Sequence, residues 1–253
     1  MKLLIDAGNT RIKWALSDGM ARCARATCAG EYERASNGVL QTMQADGLPQ
    51  QFSGIPELRE IWVSNVAGEN VARHIRNIGA GQHPHTYFIA ARKSQCGVRN
   101  SYTDPAQLGS DRWAALIAAW HLAGRSCLVV NCGTATTIDA LSATGEFIGG
   151  LILPGVELMQ RSLGDATAQL KPAQGTYAAF PRNTAEAMFS GAIQASCGAI
   201  QRQHALLGDD NAPVILNGGA VEILHGHLLN LPLRMEDNLV LQGLLLIARE
   251  ASA

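Results

Sequence analysis

The chain has 253 residues, 47% hydrophobic and 16% charged, which excludes a disordered chain and suffices for two small domains or one large one. A formal net charge of −1 gives no electrostatic case for nucleic acid or an anionic membrane as partner. No stretch has the length and apolarity of a transmembrane helix and the N-terminus carries no signal-peptide core, so a cytoplasmic protein is expected.

The opening stretch Leu3 to Leu16 reads as strand, tight turn, strand. Leu3-Leu4-Ile5 is apolar, Asp6-Ala7-Gly8-Asn9-Thr10 is a turn cluster, and Ile12 to Leu16 resumes a strand with Lys13 inside it. This gathers Asp6, Asn9, Thr10 and Lys13 at one hairpin mouth. Exposed amides, short polar side chains and an ammonium suit phosphate oxygens, and a carboxylate beside them suits Mg²⁺. The plain alternative is a hairpin turn whose charges face water.

A third strand is expected within 18–30, a helix over 31–45 and a Gly/Pro-rich loop over 46–57. Ile61 to Val66 reads as a buried strand ending in polar residues, followed by a helix near 68–78 and a strand at Thr86 to Ala90. The loop from Ala91 to Asp104 carries Arg92, Lys93, Arg99 and Tyr102. Pro105 suits the first turn of a helix running through Leu108-Gly109-Ser110-Asp111-Arg112-Trp113. Trp113, Leu116, Ile117 and Trp120 recur at helical spacing as a core stripe, with Asp111 and Arg112 off it.

A domain boundary is expected near Gly124, giving domains 1–124 and 125–253. Cys127 to Val130 is a buried strand that runs into Asn131-Cys132-Gly133-Thr134-Ala135. This repeats the opening pattern about half a chain later, with Asn131 in the place of Asp6 and Gly133 in that of Gly8, so the two halves read as duplicates. Glu146 to Pro154 is a strand, Pro154-Gly155 turns into a helix, and Thr184 can cap a long helix over 185–207. That helix is rich in small residues, which permit close packing. Pro213 to Leu216 is a strand ending at Asn217-Gly218-Gly219-Ala220, and a strand near 231–235 and a helix from Asn238 to Arg249 close the chain.

The six cysteines lack C-x-x-C spacing, and buried reduced thiols are the expected role of Cys127 and Cys132. His83-Pro84-His85 and His225-Gly226-His227 lack companion ligands and read as surface histidines.

Taken together, Asp6 to Lys13, Tyr102 with Pro105, Gly109 to Arg112, Gly133 to Thr137, Gly149-Gly150 through Pro154-Gly155, Asn183 to Ala187 and Gly218-Gly219 resemble the type III pantothenate kinases of the actin-like ATPase superfamily, from end to end. The resemblance implies an α/β fold of two duplicated RNase-H-like domains with mixed sheets flanked by helices. It implies ATP-dependent phosphorylation of pantothenate, the first step towards coenzyme A, with ATP and Mg²⁺ and in a homodimer. It makes Asp6, Ala7, Gly8, Asn9, Thr10, Arg11, Ile12 and Lys13 the first phosphate loop, with Asp6 towards Mg²⁺, and puts Gly133, Thr134, Gly218 and Gly219 on the nucleotide. Asp111 matches the general base, Tyr102, Gly109, Ser110 and Arg112 the pantothenate pocket, and Thr184 a residue reaching in from the partner subunit. Where that family usually has Asp, associated with a monovalent cation such as K⁺ or NH₄⁺, this chain has Asn131, which keeps an oxygen but loses the charge. Two other readings are an actin-like kinase for another small hydroxylated substrate and a nucleotide-binding regulatory or accessory protein. The segment from Tyr102 to Arg112 speaks against the first, and the complete phosphate loops with Asp111 against the second.

Overall fold

The computed structural model describes residues 1–17, 36–167, 170 and 174–252, which form two compact units: 1–122 with 238–253, and 123–237. The strand expected within 18–30 lies outside the described residues.

The first unit is built on a five-stranded sheet of order β3-β2-β1-β4-β5. Its strands are β1 (Lys2–Ala7), β2 (Arg11–Ser17), β3 (Asn37–Gln41), β4 (Glu60–Asn65) and β5 (His85–Phe88). β1 pairs antiparallel with β2 and parallel with β4. Leu3, Leu4 and Ile5 are all buried, as expected of a central strand covered on both faces. One face packs with Phe52, Ile75 and Ile78 around the short α1 (Leu48–Gln51) and α2 (Glu69–Arg76).

The helix expected over 31–45 is absent from its described part, where β3 is followed by a 3₁₀ segment at Thr42–Gly47. Pairing with β2 overrides local propensity. Gly38 lies opposite Trp14, whose indole comes within 2.7 Å of the position a Cβ at Gly38 would occupy. Trp14 in turn meets Phe52 edge-on at 5.1 Å. The loop expected over 46–57 contains α1, and the Arg-rich loop contains a small hairpin, β6 (Ser94–Gln95) with β7 (Val98–Asn100).

The helix expected from Pro105 is split. Pro105–Gln107 is a 3₁₀ turn capped by Asp104, Leu108 is extended, and α3 runs over Ser110–Ala123. Instead of one apolar stripe, every residue from Arg112 to Ala119 is buried. Alanines at four of those positions let neighbours close around the whole helix.

In the second unit, β8 (Cys127–Cys132), β9 (Ala135–Leu141), β10 (Glu146–Pro154), β11 (Val214–Asn217) and β12 (Leu233–Met235) take the order β12-β11-β8-β9-β10. β8 pairs antiparallel with β9 and parallel with β11. The first five strands of each unit therefore share one order, the physical form of the repeated hairpin. Helices α4 (Val156–Ala166), α5 (Thr184–Leu207) and α6 (Val221–His225) complete this unit. Its core gathers Leu128, Val130, Ile138, Ile193, Ile200 and Leu216. Cys127 and Cys132 are fully buried, which pushes both thiols up to about 12 and keeps them protonated.

The last helix, α7 (Leu239–Glu250), returns to the first unit. Lys2 Nζ donates to Ser252 Oγ at 2.9 Å, and Glu250 Oε1 accepts from the Cys96 amide at 2.8 Å. The contiguous division into 1–124 and 125–253 thus differs from the compact units at its C-terminal end. The apolar α7 completes a core laid down at the other end of the chain.

Candidate active site

In the first unit the β1–β2 hairpin sets Asp6 directly opposite Lys13. Its tip is closed by the Gly8 amide donating to the Arg11 carbonyl at 3.0 Å. Thr42 straps the tip, its hydroxyl donating to the Gly8 carbonyl at 2.7 Å and its amide to the Thr10 carbonyl at 3.0 Å. Asn9, Thr10 and Arg11 are exposed on this braced turn, whereas Ala7 and Ile12 are fully buried. Of the eight residues assigned to the first phosphate loop, the side chains of Ala7 and Ile12 therefore serve the core, and the turn between them is left to meet a ligand.

β4 lies beside β1 with Ser64 in register with Asp6. The buried hydroxyls of Ser64 and Ser110 share a hydrogen bond at 2.9 Å. That bond ties the first residue of α3 to the sheet next to Asp6, so Ser110 positions the helix that carries Asp111. The Asp111 Oδ1 accepts from the Arg112 amide at 2.8 Å and lies 2.6 Å from where a Cβ at residue 109 would stand. Only glycine at 109 lets the carboxylate fold over the helix start.

The electrostatics tie these carboxylates together. Burial pushes the Asp6 carboxyl up to about 7, the negative charge of Asp111 adds to the rise, and Lys13 opposes it. Two carboxylates near one ammonium leave an excess of negative charge, which a divalent cation would relieve. Among the described residues no group of three or more His, Cys, Asp or Glu forms a metal site. The carboxylate pair Asp6 and Asp111 is the donor set that suits Mg²⁺, which takes one or two carboxylates and completes its shell with phosphate and water.

Arg112 is only 4% exposed, and its Nη1 donates to the Tyr102 hydroxyl at 3.3 Å. The Tyr102 amide donates to Asn100 Oδ1 at 3.0 Å, and the Asn100 side-chain amide donates to the Pro105 carbonyl at 3.2 Å. The Trp113 indole donates to Gln95 at 3.1 Å, so both ends of the Arg-rich loop are pinned to the start of α3. Tyr102, Gly109, Ser110, Asp111 and Arg112 therefore share one local assembly with Asp6 and Lys13.

In the second unit Gly133 and Thr134 are exposed between β8 and β9. The Gly133 amide donates to the Ala135 carbonyl at 3.1 Å, a tighter turn than the first hairpin's. Gly218 and Gly219 follow β11, the neighbour of β8. Asn131 accepts from the Asn217 side-chain amide at 2.9 Å and directs its own amide to Thr137 at 3.4 Å. Thr184 is exposed as the first residue of α5, and the cap expected of it belongs to Asn183, whose Oδ1 accepts from the Glu186 amide at 3.0 Å. Thr184 lies apart from the β8–β9 turn along the chain, and its hydroxyl is not used as the cap.

The supporting residues Thr42, Ser64, Asn100 and Asn217 are not legible as site residues in the sequence. The only available signals are the polar end of β4 and the asparagine before Gly218.

A family model described as Type III pantothenate kinase matches residues 2–205. A protein of that description from Aromatoleum aromaticum is 45% identical over 254 residues, covering 100% of both chains. Another from Nitrosospira multiformis is 44% identical over 257 residues, covering 99% of this chain and 92% of its own. Among solved structures, a Campylobacter jejuni protein described as a Baf family transcriptional activator superposes with TM-score 0.60 at 22% identity, covering 99% of this chain and 98% of its own. At this identity the likeness carries the fold alone.

Proposed function

The chain belongs to the type III pantothenate kinase family, and on that premise we propose how its own residues carry the reaction. It phosphorylates pantothenate at the expense of ATP, in coenzyme A biosynthesis. The observation that carries the residue assignment is that sheet register sets Lys13 opposite Asp6 and Ser64 beside it, and the Ser64–Ser110 bond seats the helix start that carries Asp111 there.

Phosphoryl transfer passes through a loose transition state, so positioning and charge neutralisation supply most of the catalysis. Asp111 takes the proton of the attacking primary hydroxyl: Oδ1 is held by the Arg112 amide, and Oδ2 is left to accept. Arg112 and Tyr102 hold the pantothenate carboxylate end, where a planar buried guanidinium gives a paired hydrogen bond that lysine cannot. Lys13 and the exposed turn at Asn9-Thr10 neutralise the ATP phosphates, with Gly133 and Thr134 as the second phosphate turn and Gly218-Gly219 at the nucleoside. Mg²⁺ held by Asp6 would neutralise charge on the phosphates when bound.

Lys13→Ala tests this division of labour. The expected result is a KM for ATP raised about 10-fold or more with KM for pantothenate nearly unchanged, read by ADP release. A change confined to pantothenate would reassign the first loop to the other substrate.

The monovalent-cation role fits poorly. Asn131 is neutral, so it offers no Coulombic attraction, and its oxygen already accepts from Asn217. The enzyme is expected to keep most of its rate when K⁺ and NH₄⁺ are replaced by Tris at constant ionic strength. A strict requirement saturating at low K⁺ would restore the cation site.

A homodimer is supported by the exposed face of α5, where Thr184, Ala187, Gly191, Ala195 and Gly198 recur. Among the described residues, a Cβ at Gly191 or Gly198 would meet nothing within 4 Å, so no contact there explains these helix-weakening residues. A second copy packed on that face would explain them, and Thr184 is assigned to the partner's pantothenate pocket on the family resemblance. Light scattering should give twice the chain mass of 26.8 kDa, and a monomer at assay concentration would remove this part of the proposal. No helix among the described residues is long and apolar enough to cross a membrane, and dependence on ATP supports a cytoplasmic location.

A further inference from the structure

At the carboxyl ends of the parallel strands β8 and β11, Asn131 and Asn217 stand in register. The Asn217 Nδ2 donates to Asn131 Oδ1 at 2.9 Å, so one amide is spent on holding the residue that leads into the Gly133-Thr134 turn. The remaining Asn217 Oδ1 is buried and has no hydrogen-bond partner among the described residues, in a residue only 7% exposed. An unpaired buried acceptor costs folding free energy, and such groups in native proteins call for an explanation.

The surroundings are built rather than loose. Gly218 adopts φ +114°, and a Cβ there would lie 2.4 Å from the Cys132 carbonyl oxygen. The Ala220 amide donates to that carbonyl at 3.1 Å. On the other side, a Cβ at Gly155 would overlap the backbone of Gly133, and the Gly155 amide donates to the Thr134 carbonyl at 2.8 Å. The turn after β8 is thus clamped between the turns after β10 and β11, with Asn217 at its root. Ligands of open α/β sheets bind outside the carboxyl ends of parallel strands, the end at which Asn131 and Asn217 stand.

We propose that Asn217 is a nucleotide-positioning residue: its amide fixes Asn131 under the second phosphate turn, and its carbonyl oxygen accepts a hydrogen bond from a ribose hydroxyl of the nucleotide. This rests on the reading of ATP as phosphate donor. An acceptor needs a donor, and the phosphates of ATP offer none at neutral pH. The donors of ATP are the two ribose hydroxyls and the adenine amino group. The sugar is the group bonded next to the phosphates, so it is the donor nearest to a residue rooted beside the phosphate turn.

The experiment compares ATP, 2′-deoxy-ATP and 3′-deoxy-ATP as donors for the wild type and Asn217→Ala, with KM for pantothenate measured in parallel. The wild type is expected to show a KM for one deoxynucleotide about 10-fold above that for ATP, the size of one buried hydrogen bond. In Asn217→Ala the KM for ATP should rise by a similar factor, the discrimination should vanish, and KM for pantothenate should stay put. Asn217→Ser, which keeps an acceptor, should retain part of the discrimination, and it carries the test if the alanine variant does not fold. Equal use of the three nucleotides by the wild type overturns the proposal while leaving the kinase reading intact. So does a raised KM for pantothenate alone, which would give the oxygen to a pantothenate hydroxyl. A fall in Tm with both KM values shifted equally would reduce Asn217 to a structural clasp. Absence of ADP formation by the wild type with every nucleotide would overturn the ATP reading, and this proposal with it.

Discussion

Asp111→Asn is expected to lower kcat by about 10²–10⁴-fold, the usual cost of losing a general base, with KM for ATP and pantothenate changed little. The substitution is nearly isosteric. The asparagine Oδ1 can still accept from the Arg112 amide, so the start of α3 keeps its bond and its tether through Ser110 and Ser64. What disappears is the carboxylate oxygen that takes the substrate proton. Because Asp111 also raises the Asp6 carboxyl, its neutralisation should make Asp6 easier to ionise. The variant should therefore fold normally and bind nucleotide at least as well as the wild type while turning over slowly. Near-normal kcat in a correctly folded Asp111→Asn protein would assign the base elsewhere.

The second large effect is expected at Asp6, where function and stability oppose each other. Its carboxyl is raised from 3.8 to about 7, first by burial, then by Asp111, against the pull of Lys13. The sign follows from proton binding. Between about pH 4 and about pH 7 the folded protein holds a proton that the unfolded chain has released, so ionising Asp6 lowers stability progressively across that window. Asp6→Asn removes this loss. Without nucleotide or Mg²⁺, the variant should match the wild type near pH 4 and exceed it by about 1–3 kcal/mol above pH 7, with water at the partly exposed carboxylate keeping the gain below the full shift. A Tm difference of roughly 3–10 °C should open over the same pH range. Turnover should fall by about 10²-fold or more, since a neutral amide neither holds a divalent cation well nor balances the charge at the phosphates. In the wild type, a proton competing for Asp6 should lower kcat/KM for MgATP as pH falls below about 7. A variant no more stable than the wild type at pH 8 would mean that Asp6 carries no ionisation penalty in the folded protein.

Local residue patterns were enough to locate the two hairpins, because Leu3 to Leu16 and Cys127 to Asp139 each pair an apolar strand with a compact polar turn. They also gave the order of motifs from Asp6 to Gly219, from which the family followed, and with it the fold and the reaction. The tertiary structure alone decided which of those residues meet and in what state. Arg112 lies off the apolar stripe that the sequence shows, and its burial beside Tyr102 depends on neighbours from the loop before α3 and on the helix being covered all round. Residues 37–41 form a strand because β2 offers an edge and Trp14 needs Gly38, facts held by another part of the chain. The helix at 239–250 joins the first unit because its apolar surface completes a core begun at the N-terminus. The raised Asp6 carboxyl and the amide pair of Asn131 with Asn217 arise from groups tens of residues apart in sequence, brought within reach by sheet register. Periodicity and turn chemistry act over a few neighbouring residues and are visible in the chain as written. Desolvation, charge coupling and the pairing of polar atoms act across space and exist only once the sheets have assembled.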